Sequence, residues 1–179
     1  MNPRPNLSVI LVGGLLGTPA MSALMYVMAS VLGVNSEMAT LLGEILGGWR
    51  AGMLVHILNG ALIFPVIYVF LLYRYLPGPA SVKGLEFGLI LWLTSQILVM
   101  PLMGAGFFSL HIGGAKAAAA SFLGHAAYGW SLGVFSSLAE EPVSQRGSLA
   151  KTLEISRLNT RPQAATSLRI PAKSLWWKG

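Results

Sequence analysis

Four long stretches of the chain consist of apolar and small residues without a single charged side chain. They cover residues 5–36, 51–73, 87–115 and 117–139. A helix needs about 20 mostly apolar residues to cross about 30 Å of hydrocarbon. Within lipid, every backbone N–H and C=O must find its partner inside the segment. The pattern therefore predicts four membrane-spanning helices.

Polar residues and helix breakers set the expected ends of these helices. Pro77-Gly78-Pro79 marks a turn between the second and third helices, and Gly113-Gly114 marks another between the third and fourth. We expect the four helices at about 7–32, 49–75, 82–108 and 115–138. Together they form a transmembrane domain over residues 1–139, with an all-α fold and the architecture of an integral membrane four-helix bundle.

A shorter amphipathic segment lies between the first two stretches. Its apolar residues follow helical spacing, at Leu41, Leu42, Ile45 and Leu46. Because the segment is too short to span a bilayer, it predicts an interfacial helix at about 37–47. Trp49 follows it and is typical of an anchor at the headgroup level.

The composition agrees with a membrane protein and excludes several kinds of chemistry. Of the 179 residues, 54% are hydrophobic and 10% are charged, whereas soluble domains carry about 25% charged residues. The chain has no cysteine, which excludes disulfides, thiolate metal sites, iron–sulfur clusters and cysteine nucleophiles. It also has no aspartate and no recognisable catalytic motif. We therefore expect a protein that is not an enzyme.

Charge is distributed unevenly between the two sides of the predicted bundle. Ten of the twelve Lys and Arg residues fall on one side: Arg4, Arg74, Lys83, Arg146, Lys151, Arg157, Arg161, Arg169, Lys173 and Lys178. Cytoplasmic loops are enriched in such residues. We therefore expect a protein of the bacterial inner or intracytoplasmic membrane, with both termini on the cytoplasmic side. The net charge of +6 then indicates topology and contact with anionic headgroups, not nucleic-acid binding.

Residues 140–179 form a polar, basic region with three prolines and no sustained periodicity. Such a composition does not support a core of its own. We expect a cytoplasmic tail that a partner protein or the membrane surface holds in place. The candidate attachment residues are Arg157, Arg161, Arg169, Lys173, Trp176 and Trp177.

Small residues recur at intervals of four along the predicted helices. A row of this kind forms a ridge that lets another helix backbone approach closely. The residues expected at helix contacts are Gly13, Gly17, Gly52, Gly60, Gly84, Gly88, Ser121, Gly129 and Gly133.

Two histidines, His56 and His125, interrupt these rows of small residues. One interpretation is a buried polar cluster in which they bond to neighbouring helices, with partners at Asn59, Ser95, Gln96 and Tyr128. Another is axial ligation of haem or a (bacterio)chlorophyll. Gly52 and Ser121 lie one turn before the histidines and would leave room for a macrocycle. The sequence leaves both interpretations open.

Several motifs resemble a group of small uncharacterised bacterial four-helix membrane proteins. These are His-x-x-x-Gly at His56, Lys83-Gly84 at the start of the third helix, Met100-Pro101-Leu102-Met103-Gly104-Ala105-Gly106, and Gly124-His125-x-x-Tyr128-Gly129. The resemblance covers roughly residues 8–137. It implies a four-helix membrane fold and brings no defined activity.

These observations favour a non-enzymatic accessory subunit of a larger inner-membrane complex, for electron transfer or photosynthesis. Its partners would be other membrane-protein subunits and the lipid bilayer. One alternative is a haem- or chlorophyll-binding protein that uses the buried histidines. A second is an oligomeric channel or transporter for a small molecule.

Overall fold

The structure is a computed structural model that describes residues 5–34, 38–139 and 151–157. The chain divides after Glu140 into two units. In the second unit, residues 151–157 form a helix with exposed side chains. The first unit contains α1 (Leu7–Leu32), α2 (Met38–Leu46), α3 (Trp49–Leu72), α4 (Ala80–Leu102), a short 3₁₀ helix (Phe107–Ile112) and α5 (Ala115–Ala139).

The described residues contain helices and no strand, which confirms the predicted all-helical fold for this part of the chain. Within it, α1, α3 and α4 are long and apolar enough to cross a membrane, at 26, 24 and 23 residues. α5 is also long, at 25 residues, but it is not among those three helices. The fourth span stays a prediction.

The lower hydropathy of α5 follows from its position in the first unit. It packs against both α1 and α4, and eleven of its residues are buried, compared with seven in the slightly longer α1. Neighbouring backbones approach a helix closely only where its side chains are small. Alanine, glycine and serine therefore take positions that leucine or isoleucine would take on an outer helix.

α4 and α5 approach closely at a glycine seam formed by Gly84 and Gly88 of α4 with Gly129 and Gly133 of α5. A Cβ atom added to Gly129 would lie 2.9 Å from the Cα of Gly88, and one added to Gly133 would lie 2.6 Å from the carbonyl oxygen of Ser81. These distances leave no room for a side chain. All four residues were expected at helix contacts.

The other expected contact residues lie against different neighbours. Gly13 and Gly17 of α1 face α5, where a Cβ at Gly17 would lie 3.1 Å from Ser131. Gly52 meets the backbone of α2, and Gly60 meets the side chain of Thr18. Ser121 is buried in α5 and makes the hydrogen bonds described below. The glycines thus join α5 to α1 and α4, and α3 to α1 and α2.

α2 folds back against the first turns of α3. Ala39 is 2% exposed, and a Cβ atom at Gly52 would lie 2.6 Å from the backbone nitrogen of Gly43. α2 was predicted as an interfacial helix at about 37–47, and residue 37 lies outside the described residues. Its close packing on α3 shows that its inner face is covered by protein.

α3 and α4 each contain a π turn that begins six residues before a proline. The turns are Asn59–Ile63 before Pro65 and Ser95–Val99 before Pro101. Proline has no N–H and its ring collides with the carbonyl four residues earlier. A π turn bonds each N–H to the carbonyl five residues back, and such turns are frequent at functional sites.

α4 ends at Leu102, about one and a half turns before the end predicted at residue 108. Pro101 weakens hydrogen bonding in the last turn, and the chain then leaves the helix through Gly104 and Gly106, which have φ angles of 76° and 77°. Such angles favour glycine. Residues 103–106, which were expected to extend the helix, instead form a turn. The 3₁₀ helix Phe107–Ile112 follows it.

The first unit has a core built around aromatic rings and an outer surface rich in large apolar side chains. Its core centres on Tyr68, Tyr73, Phe87 and Tyr128, which are at most 1% exposed. Many large apolar residues on the outer faces remain exposed, including Leu15, Leu54, Leu98 and Leu102. Extensive exposed apolar surface of this kind marks contact with a membrane or with another protein.

We predict that Gly129→Leu or Gly133→Leu lowers the stability of the bundle, because the new side chain would overlap the backbone of α4. Overpacking of a tight contact costs about 1–3 kcal/mol. Thermal unfolding in detergent measures the effect. Ala119→Leu is the matched control, since Ala119 is exposed on the same helix. Equal melting temperatures for the control and both glycine variants would contradict the seam.

Candidate functional site

A cavity of about 170 Å³ lies between the helices of the first unit. We call it the histidine cavity, because His56 and His125 both line it, and all five helices contribute to its walls. Asn59, Ser95 and Tyr128 of the predicted polar cluster line it as well. The remaining lining residues are Thr18, Met21, Met38, Leu42, Gly60, Phe64, Leu91, Thr94 and Val99.

His125 is held in one orientation by its own helix. Its Nδ1 lies 2.8 Å from the carbonyl oxygen of Ser121 and 3.3 Å from the Ser121 hydroxyl. A carbonyl oxygen only accepts hydrogen bonds, so Nδ1 carries the proton and donates it. In the neutral ring, Nε2 then keeps its lone pair, and no hydrogen bond from the described residues reaches it. His125 is only 6% exposed.

His56 is oriented by α1. Its Nε2 lies 3.1 Å from the hydroxyl of Ser22, and that hydroxyl donates to the carbonyl of Thr18 at 3.0 Å. Both contacts are satisfied when His56 Nε2–H donates to the Ser22 oxygen. The neutral ring then keeps a lone pair at Nδ1. Each histidine of the cavity therefore has one unprotonated nitrogen without a protein donor in the described part of the chain.

Ser95 adds an unpaired hydroxyl to the cavity. The residue is 6% exposed, and its Oγ is buried and has no hydrogen-bond partner among the described residues. Ser95 and Asn59 are each the first residue of a π turn. A π turn holds one more residue than an α turn and so rotates the rest of the helix. The two prolines thus help to decide which polar side chains face the cavity.

Tyr128 compensates for a backbone bond that α3 loses at its proline. In the π turn, the N–H of Phe64 bonds to the carbonyl of Asn59, and the next residue, Pro65, has no N–H. The carbonyl of Gly60 is left without a helical donor. The Tyr128 hydroxyl donates to it at 2.6 Å, and this bond joins α5 to α3 beside the histidine cavity.

A second set of hydrogen bonds, the Gln96 network, runs from the 3₁₀ helix to His125. The Ser109 hydroxyl donates to Gln96 Oε1 at 2.9 Å, and Gln96 Nε2 donates to the Ser121 hydroxyl at 3.4 Å. Ser121 in turn contacts His125. Gln96 is fully buried, and it does not line the cavity. It acts by holding Ser121, which fixes the ring of His125.

The histidine cavity is small for a tetrapyrrole. Pockets for drug-sized ligands measure roughly 300–1,000 Å³, and this cavity of about 170 Å³ is smaller than that range. A macrocycle at His125 would have to separate helices that close backbone contacts hold together. Haem and chlorophyll ligation is therefore not favoured by this arrangement of His56 and His125.

The structure describes one of the six candidate attachment residues of the tail. Arg157 is exposed in the helix 151–157. Arg161, Arg169, Lys173, Trp176 and Trp177 lie outside the described residues.

Several residues of the site were not among the sequence-based candidates. Met21 and Ser22 lie three and four positions after Thr18, on one face of α1, and this spacing is a signal that could have found them. Met38 and Ser109 give no such signal. Their roles depend on α2 folding onto α3 and on the early end of α4.

Comparison with known proteins assigns the chain to a family. Residues 6–146 match the family of unknown function DUF6789, and the chain belongs to that family. No curated protein and no solved structure matches the chain. The family accords with the resemblance to uncharacterised proteins and adds no activity, so the function has to be argued from the site.

We predict that Ser109→Ala destabilises the protein more than Ser109→Gly. Both variants remove the hydrogen bond to Gln96, which costs about 1–3 kcal/mol because the amide is buried. Ser109 also has a φ angle of 58°, which costs an L-residue with a Cβ roughly 1–2 kcal/mol. Glycine relieves that cost, and alanine retains it.

Thermal unfolding in detergent, with and without Gln96→Leu, measures both contributions. In the Gln96→Leu background, the hydrogen-bond contribution should vanish and the difference between glycine and alanine should remain. Additive effects of the Ser109 and Gln96 substitutions would contradict the network.

Proposed function

We propose that the chain is an integral membrane protein with four spanning helices that binds a small ligand inside its bundle, as a member of the channel or transporter class. One observation carries the proposal. Two imidazoles, a buried one at His125 and a half-buried one at His56, each have an unpaired ring nitrogen. Both line the same cavity as Ser95, whose hydroxyl is also unpaired.

The energetic cost of these groups supports a binding role. A buried polar group without a partner costs about 1–3 kcal/mol, and polar residues within membrane segments usually mark substrate or ion pathways. Apolar side chains of similar size would fill the space at lower cost. The cavity is also flanked by the interrupted helices α3 and α4, and helices broken near the middle of the bilayer are a feature of transporter binding sites.

Enclosure by other helices supports the proposal that α5 is the fourth span. α1, α3 and α4 expose large apolar residues, and α5 packs against two of them. If α1, α3 and α4 cross the membrane, α5, which packs between α1 and α4, crosses it as well. With 25 residues, α5 is long enough to do so.

Cation–aromatic contacts at the end of α3 support an interface at that level. The Nζ of Lys83 lies 4.2 Å from the ring centroid of Tyr73, and the guanidinium of Arg74 lies 4.4 Å from that of Tyr75. Aromatic and basic residues of this kind are typical of the boundary between lipid and water. With the charge asymmetry, they support cytoplasmic N- and C-termini, and the family resemblance supports a bacterial inner membrane.

The accessory-subunit interpretation stays a separate prediction. It depends on attachment of the basic tail to partner subunits, and five of the six attachment residues lie outside the described part of the chain. The histidine cavity favours a ligand-binding role for the bundle itself.

We predict that a cysteine at position 95 reacts with a small thiol reagent from within the cavity. The chain has no native cysteine, so any modification of the Ser95→Cys variant occurs at position 95. Aminoethyl methanethiosulfonate applied to membranes should modify it, and mass spectrometry measures the modified fraction over time.

Ser136→Cys is the matched control. Ser136 is fully buried, bonds to Tyr68 and to the carbonyl of Leu132, and does not line the cavity. It should stay unmodified on the timescale at which position 95 reacts. Equal protection of the two cysteines would overturn the proposal of an accessible binding cavity.

We predict opposite locations for the two polar segments that flank the bundle. A reporter active only in the periplasm should give a signal when inserted within residues 35–48 and no signal when fused after Glu141. The opposite pattern would reverse the orientation, and a signal at both positions would contradict four spans. A reporter active only in the cytoplasm, placed at the same sites, provides the control.

A further inference from the structure

We infer that the histidine cavity binds a soft monovalent metal ion of the Cu(I) type, through His56, His125, Met21 and Met38. The inference rests on the proposed function and names its ligand. Two imidazoles and two thioethers line one cavity of about 170 Å³, and they come from α1, α2, α3 and α5.

The two histidines present the correct atoms for a metal ion. Imidazole binds metals through an unprotonated nitrogen, and the other ring nitrogen usually donates a hydrogen bond that fixes the ring. His125 Nδ1 donates to the carbonyl of Ser121 at 2.8 Å, which leaves Nε2 as the ligand. His56 Nε2 contacts Ser22 at 3.1 Å, which leaves Nδ1. The hydrogen bonds thus supply the supporting contacts of a metal site.

The methionines decide which class of ion fits. Thioether sulfur is a soft ligand that selects Cu(I), whereas calcium and magnesium require several oxygen ligands. Among the described residues, no group of three or more His, Asp or Glu side chains forms a metal site, and no carboxylate lines the cavity. The available nitrogen and sulfur donors favour a soft ion over a hard one.

The burial and flexibility of the donors also agree with this ion. All four ligands are neutral and do not compensate the charge of an ion. The free energy of desolvation is therefore lower for a monovalent ion than for a divalent one. Methionine has three rotatable bonds and adapts readily to its surroundings. Met21 and Met38 both line the cavity, and this flexibility lets their thioethers adjust to a bound ion.

The test is a Cu(I) titration of the full chain in detergent, under reducing conditions, against a chromophoric Cu(I) chelator. We expect one equivalent of Cu(I) per chain. Met21→Leu with Met38→Leu should weaken binding by at least roughly 10–100-fold, as loss of a supporting residue alone does. Leucine conserves the volume of methionine, so this variant should fold. In this variant, X-ray absorption at the copper edge should no longer show sulfur atoms bound to the copper.

Two controls separate the cavity from other histidines and methionines. His111 lies outside it and contacts the carbonyl of Gly104 through Nδ1. Met25 is buried beside Gly124 and does not line the cavity. His111→Ala and Met25→Leu should bind Cu(I) as the unchanged protein does.

The Cu(I) titration and the cysteine modification together distinguish the possible outcomes. Absence of saturable Cu(I) binding would overturn it, and so would unchanged affinity in the Met21→Leu, Met38→Leu variant. If Ser95→Cys is modified while Cu(I) does not bind, the ligand is wrong and the binding cavity stands. If neither occurs, the proposed function fails as well.

Discussion

The close approach of α4 and α5 at the glycine seam is the constraint on which the rest of the structure depends. At Gly88 and Gly129 the two backbones leave no space for a Cβ atom. α5 is therefore held against α4 along one side while it also packs on α1. That position brings His125 to the cavity and Ser121 to Gln96. A wider separation would break the Gln96 network, whose longest bond already spans 3.4 Å.

The prolines of α3 and α4 contribute the second constraint. Each proline follows a π turn, and the turns begin at Asn59 and Ser95. Breaking the regular hydrogen bonds of a helix is expensive inside a membrane unless another group replaces them. Tyr128 provides one replacement at the carbonyl of Gly60. The residues that begin these distortions, Asn59 and Ser95, both line the histidine cavity.

The histidine cavity combines fixed and adaptable groups. Hydrogen bonds to Ser121 and Ser22 orient the two imidazoles, so their free nitrogens need little reorganisation to meet a ligand. The methionine side chains and α2 surround them with apolar atoms. In the proposed function, a ligand would have to supply hydrogen bonds or coordination to these polar groups, and this requirement would give selectivity. The Gln96 network extends this support to the 3₁₀ helix that follows α4.

Local sequence patterns predicted the helices well, because length, hydropathy and glycine spacing act within one segment. They also singled out His56 and His125, which are rare polar residues within apolar runs. Partners across helices were harder to predict: Ser22, Ser109 and Met38 act on residues far away in the chain. The end of α4 was predicted too late, since an apolar run continues through a stretch where Pro101 and two glycines leave the helix.

The sequence by itself determined that the first unit is built from long apolar helices, because backbone hydrogen bonding and hydrophobicity are properties of each segment. It also determined where helices approach closely, because only small residues permit that contact. The tertiary structure decided that two histidines, a serine and two methionines share one cavity. Those distances depend on how α2 folds onto α3 and how the π turns rotate α3 and α4, and no local pattern contains that information.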